Sequence, residues 1–244
     1  MQPICQPPRP WHPPRVRLLL PLLLLFPLPV FAQPLLIFDA VPDPSAPWLQ
    51  ERPRQFAAYA QLHPVEPFLL LTTPLFGTQL HPNQPLRVHL VALHAGEHLR
   101  ARTLGDDVAV QIREEDSPDR RMDVVVHEAM HALQQRTHLT EKLPLPPDIL
   151  DLLDEALATA LGQGIWRWLD HEIGLQLGEI AWRQGRDRYM EDNARPWYVA
   201  EKRGEIIDAW AHALVPVLLR ALTDHAQVQA LVPELKRTWL ELKK

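Results

Sequence analysis

His127-Glu128-Ala129-Met130-His131 places two imidazoles four residues apart, with a carboxylate beside the first. On an α-helix that spacing stacks the two histidines on one face, so both can present a nitrogen to a single point. Zinc takes nitrogen ligands at roughly 2.0–2.1 Å in a tetrahedron and, at a catalytic site, keeps one position for water. Glu128 stands where its carboxylate can take a proton from such a water and later hand it to a leaving amine. The chemistry these residues point to is metal-assisted hydrolysis. Two structural histidines and a surface glutamate are the plain alternative, and the surroundings decide between them. Met122, Val125, Val126, Ala129, Met130 and Leu133 supply an apolar stripe opposite the histidines, as a helix packed on a core requires.

A third ligand must come from elsewhere in the chain. Glu155 lies 24 residues after His131, in the run Leu153-Asp154-Glu155-Ala156-Leu157-Ala158-Thr159. Leu152, Ala156 and Leu157 should pack, so a carboxylate among them needs a partner. A metal ion held by His127, His131 and Glu155 provides one.

The H-E-x-x-H run followed by a glutamate on the next helix, inside Asp-Glu-Ala-Leu-Ala, resembles the gluzincin branch of the zincin metallopeptidases over about residues 105–165. The resemblance implies His127, His131 and Glu155 as zinc ligands and Glu128 as general base. It also implies that the strand near Val108 to Arg113 is the edge along which an extended peptide pairs. Thermolysin-like members carry an aspartate four residues after the ligand glutamate to brace a ligand histidine. Here that position is Thr159, expected to accept the same hydrogen bond more weakly. The third histidine of the metzincins is missing, since His138 follows His131 by seven residues, and it reads as a solvated helix-end residue. Gluzincins add a tyrosine or histidine donor for the oxyanion from the C-terminal lobe. Two candidates stand open: His212, four residues after Asp208 on an expected helix, and Tyr198.

The elements that would position these groups follow from pattern. Arg87 to His94 alternates as a strand, with Val88, Leu90 and Ala92 on one side. After a turn at Gly105-Asp106-Asp107, Val108, Val110 and Ile112 mark a half-buried strand expected at a sheet edge. Ser117-Pro118-Asp119 signals a helix start, with Ser117 as N-cap, and the helix should run to about Thr137. Prolines between Leu143 and Pro147 separate it from a helix beginning near Asp148. Ile165 to Leu177, Val199 to Leu222 and Val228 to Leu242 read as helical, with Pro216 expected to kink or divide the second. Between Gln33 and Pro85 the frequent prolines allow short extended pieces such as Phe68 to Thr72, and one helix within Trp48 to Leu62. The expectation is an α+β, zincin-like fold: a small N-terminal sheet with the active-site helix (33–140), then a mainly helical C-terminal lobe carrying the third ligand (141–244).

Other chemistry-bearing residues read as ordinary. His171-Glu172 lacks a second histidine, and His89, His94 and His98 have no ligand spacing. Trp166, Trp168, Trp182, Trp197, Trp210 and Trp239 are expected to pack between helices.

Composition narrows the partners. Arg9, Arg15 and Arg17 precede the apolar stretch Leu18 to Val30, and Val30-Phe31-Ala32 suits a signal peptidase, so residues 1–32 read as a signal peptide. An uncleaved membrane anchor is the alternative, although it would carry Gln33 and several prolines through lipid. Removal of 1–32 moves the formal charge from −5 to −8, which argues against nucleic acid as partner. The single cysteine, Cys5, is lost with it, so zinc would be held by nitrogen and oxygen alone. The expected protein is an exported zinc peptidase, periplasmic or secreted, acting on a peptide or protein substrate. The competing expectations are a non-catalytic exported zinc-binding or assembly factor, or a helical interaction protein in which the motif is fortuitous.

Overall fold

In the computed structural model, residues 34–63, 65–96, 101–167, 169–170 and 202–242 are described. They form a four-stranded sheet and a mostly helical remainder, a mixed α/β arrangement. The strands are β1 (Leu36–Ala40), β2 (Leu86–Ala92), β3 (Ala101–Leu104) and β4 (Asp107–Ile112), in the spatial order β1-β2-β4-β3. β1 and β4 each pair with β2 in parallel, and β3 pairs with β4 antiparallel.

The alternation in β2 and β4 has the anticipated result. Leu86, Val88, Leu90 and Ala92 are buried on one strand, and Val108, Val110 and Ile112 on the other. The edge assignment is corrected, because β4 is flanked on both sides and β3 is the outer strand. β3 shows no apolar signal, with Arg102 and Leu104 facing outward, as suits a strand that buries only one face against the molecule.

Helices α1 (Arg52–Leu62), α2 (Val65–Thr72), α3 (Pro118–Thr137), α4 (Leu139–Lys142) and α5 (Pro147–Thr159) follow in chain order. α5 continues into a π-helical segment, Ala160–Trp166, and α6 (Lys202–Asp224) and α7 (Val232–Leu242) come last. Phe68 to Thr72, expected to be extended, is helical instead. Pro67 sits in the first turn of α2, where its missing N–H has no intrahelical acceptor to lose, while Phe68, Leu69 and Leu71 are buried. Pro53, Pro118 and Pro147 also occupy helix starts. Pro216 is the exception inside a helix, and α6 runs on through it undivided.

α3 begins after Ser117, whose backbone is extended at φ −93° and ψ 159° but whose hydroxyl makes no capping bond. Asp116 anchors the turn before it, accepting from the Arg113 N–H at 2.9 Å and from Arg121 Nε at 2.8 Å. Met122, Val125, Val126, Ala129, Met130 and Leu133 are fully buried, so α3 lies with its apolar stripe in the core. The stretch Gly204–Asp224 is long and apolar enough to cross a membrane, at a mean hydropathy of 1.4. Here Ile207, Trp210, Ala211, Leu214 and Leu218 belong to the common core, and the Trp210 indole donates to Thr238 Oγ1 at 3.0 Å.

Candidate metal centre

α3 and α5 run side by side, and they bring the three residues singled out by spacing to one place. His127 Nε2 and His131 Nε2 are 3.1 Å apart, and Glu155 Oε2 lies 3.6 Å from each. The nearest point equidistant from these three atoms, in their plane, is about 2.0 Å from every one of them, and a bond from imidazole or carboxylate to a small divalent ion is roughly 2.0–2.2 Å. Donors around a regular tetrahedral ion stand roughly 3.3–3.4 Å apart, within the spread seen here. The cluster can hold a metal ion. Both histidines are buried and Glu155 is half-buried.

Each imidazole is braced on its other nitrogen. His131 Nδ1 donates to Asp154 Oδ2 at 2.9 Å, and His127 Nδ1 to Gln163 Oε1 at 3.0 Å. Such partners fix the ring and the tautomer, leaving Nε2 for the metal. Asp154 is itself placed by α3, because Gln134 Nε2 donates to the Asp154 carbonyl at 3.2 Å. The bracing role expected of Thr159 is corrected. Its side chain is fully buried and its hydroxyl has no hydrogen-bond partner among the described residues.

Electrostatics reflect the crowding. Burial disfavours charge on His131, but the Asp154 and Glu155 carboxylates outweigh it and push its pKa up to about 10. Burial likewise opposes charge on Glu155, and the two imidazoles overcome it to hold the carboxyl well below its usual range. A divalent ion at Nε2 would displace the proton that the raised pKa keeps on His131 and would be met by the Glu155 carboxylate, while Asp154 stays on Nδ1–H.

Glu128 is also buried, and its Oε2 lies 2.7 Å from Thr103 Oγ1 on β3. The same hydroxyl stands 2.9 Å from the Glu128 carbonyl oxygen. The edge strand thus holds the carboxylate that follows the first clustered histidine in sequence. No spacing or composition signal singles out Thr103 or Gln163. Asp154 could have been noticed as an acid adjoining Glu155 on a helix that otherwise packs.

The remaining candidates fall elsewhere. His212 is half exposed on α6, with Nδ1 donating to the Asp208 carbonyl at 2.8 Å and standing 3.7 Å from the Asp208 carboxylate. Tyr198, His98, His171-Glu172, Trp182, Trp197 and the proposed signal segment lie outside the described residues. His138 ends α3 in a left-handed conformation, exposed and 3.3 Å from Glu141. His89 and His94 are engaged by aspartates on the sheet side. Comparison with family models, with curated proteins and with solved structures gives no match to this chain.

Proposed function

We propose that this chain is a zinc-dependent peptidase of the gluzincin kind, with His127, His131 and Glu155 as ligands and Glu128 as general base. The observation that carries the reading is the triangle of Nε2, Nε2 and Oε2 atoms spaced for one small ion, with a buried carboxylate next in sequence to the first ligand. Two imidazoles and one carboxylate suit zinc among the borderline metals, and the described residues contain no cysteine.

Zinc, when bound, supplies a Lewis acid that polarises a carbonyl and makes water acidic near neutral pH. The chain supplies the rest. Glu128 takes the proton of the attacking water on the carboxylate oxygen not held by Thr103, and delivers it to the nitrogen that leaves. Asp154 and Gln163 keep the ligand rings oriented. Among the described residues no strand pairs with the outer side of β3, so this strand takes over the peptide-pairing role first assigned to Val108–Arg113. For the oxyanion, His212 and Tyr198 are the proposed donors. Export through residues 1–32 places the reaction in a periplasm or outside the cell.

Bound zinc and cleavage of a mixed fluorogenic peptide library test this on the wild type, Glu128→Gln and Glu155→Ala. Glu128→Gln should keep stoichiometric zinc and lose about 10²–10⁴-fold in turnover. Glu155→Ala should weaken zinc by more than the roughly 10–100-fold that loss of an outer partner costs. A wild type without zinc sinks the proposal. Zinc without any cleavage makes the chain a non-catalytic zinc-binding or assembly factor.

A further inference from the structure

The helix that carries Glu155 changes character just past the site. From Ala160 to Trp166 its hydrogen bonding is π-helical. Each extra residue in a turn rotates all later side chains by about 100° relative to an α-helix, so a π segment re-aims whatever follows it.

Two consecutive residues of this segment meet His127. A Cβ at Gly162 would stand 2.7 Å from the His127 backbone nitrogen and 2.8 Å from its Cα, distances that side-chain-bearing residues do not tolerate. Glycine is what lets the two helices come this close. The next residue, Gln163, places Oε1 3.0 Å from His127 Nδ1. One turn farther along, Arg167 donates to Asp123 at 2.9 Å, pinning the same pair of helices on the other side of the contact. Thr159, which follows Glu155 by one α-helical turn, has its hydroxyl buried without a partner among the described residues. Thr159, in the α-helical part, thus gives His127 no brace, and Gln163, in the π segment, does.

We propose that the π segment is the positioning device of the metal centre: Gly162 admits the close approach and Gln163 fixes the His127 ring with its proton on Nδ1 and its Nε2 lone pair on the metal point. An amide oxygen can only accept, so the bond selects one tautomer. It also leaves the two ligands unequal, His131 braced by a carboxylate and His127 by a neutral group. The inference rests on the metal reading for its purpose, but its geometry is testable without metal.

The experiment uses the protein lacking residues 1–32 alongside the full chain, with Gln163→Ala, Gln163→Glu and Gly162→Ala. Gln163 is half-buried, so its truncation leaves the core untouched. Zinc affinity is read by competition with a chelating dye, and the His127 tautomer by ring ¹⁵N–¹H correlation of the metal-free protein. Gln163→Ala should lose about 10–100-fold in zinc affinity with an unchanged metal-free melting temperature. Gln163→Glu, which keeps an acceptor, should recover most of that affinity, and Gly162→Ala should lose at least as much as Gln163→Ala. The metal-free wild type should show the Nδ1–H form of His127, and Gln163→Ala should lose it. Wild-type zinc affinity together with an unaltered tautomer in Gln163→Ala overturns the inference. If the wild type binds no zinc while the tautomer still follows Gln163, the metal reading fails and the positioning role stands.

Discussion

Thr103 has one hydroxyl proton and two acceptors on the same residue of the facing helix, the Oε2 and the carbonyl of Glu128 at 2.7 and 2.9 Å. The hydroxyl pins the carboxylate whichever acceptor it serves at a given moment. Under the proposed role of Glu128 as general base such a pin would help, because rotation of the carboxylate would spoil the geometry of proton transfer. Thr103→Val preserves the shape of the side chain and removes only the hydroxyl. The expected outcome is unchanged zinc content, a fall in kcat on the order of 10-fold with little change in KM, and recovery in Thr103→Ser. Denaturant unfolding should show Thr103→Val destabilised by about 1–3 kcal/mol, the cost of a buried acceptor left unmet. Equal kcat for Thr103→Val and wild type would remove Thr103 from the mechanism.

Among the elements, the sheet carries a titratable tie. His89 lies in β2 between two partners, with Nδ1 2.5 Å from Asp39 of β1 and Nε2 3.2 Å from Asp107 of β4, so one ring links three strands. Burial disfavours its charge, but the two aspartates outweigh this and raise its pKa above the ordinary value. A raised folded-state pKa contributes stability that is fully present below the unfolded value near 6.5 and is lost as pH rises through the folded value. The groups are partly exposed, so solvent screening limits the tie to about 0.5 kcal/mol. His89→Asn should accordingly destabilise the protein more at pH 5.5 than at pH 9, read by denaturant midpoints at the two pH values. The elements also show what the chain makes legible. β2, β4 and α3 announce themselves because each buries a full stripe, His127 and His131 because helix geometry ties their spacing to a common face, and Glu155 because it is a carboxylate among residues that pack. β1 and β3 bury too little to leave a pattern: Ile37 of β1 and Leu104 of β3 are exposed. Phe68 to Thr72 is misjudged because a proline in a first turn looks, in sequence, like a proline that forbids a helix. Thr103 and Gln163 reach the site through sheet order and a π turn, and neither has a local signature.

For the molecule as a whole, a metal at this site is a cross-link. Its three donors come from two helices packed together, His127 and His131 on α3 and Glu155 on α5, and both helices contribute to the common core with α6. An ion bound by the folded state and not by the unfolded chain stabilises the former through mass action. With free zinc at about 100 times its dissociation constant the gain is about 2.7 kcal/mol. For a chain of this size 1 kcal/mol moves the melting temperature by roughly 2–4 °C, so adding zinc to chelator-treated protein should raise it by about 5–10 °C. The variants sort by role. Glu128→Gln should keep the zinc-dependent rise, since its carboxylate is not among the three donors, whereas Glu155→Ala should abolish it. Lowering the pH should shrink the rise as well, because His131 holds a proton up to about pH 10 in the metal-free protein and zinc must expel it. Calorimetric scans with and without zinc at pH 6 and pH 8 measure both effects. A melting temperature indifferent to zinc at either pH would show that these donors, although gathered around one point, do not bind it.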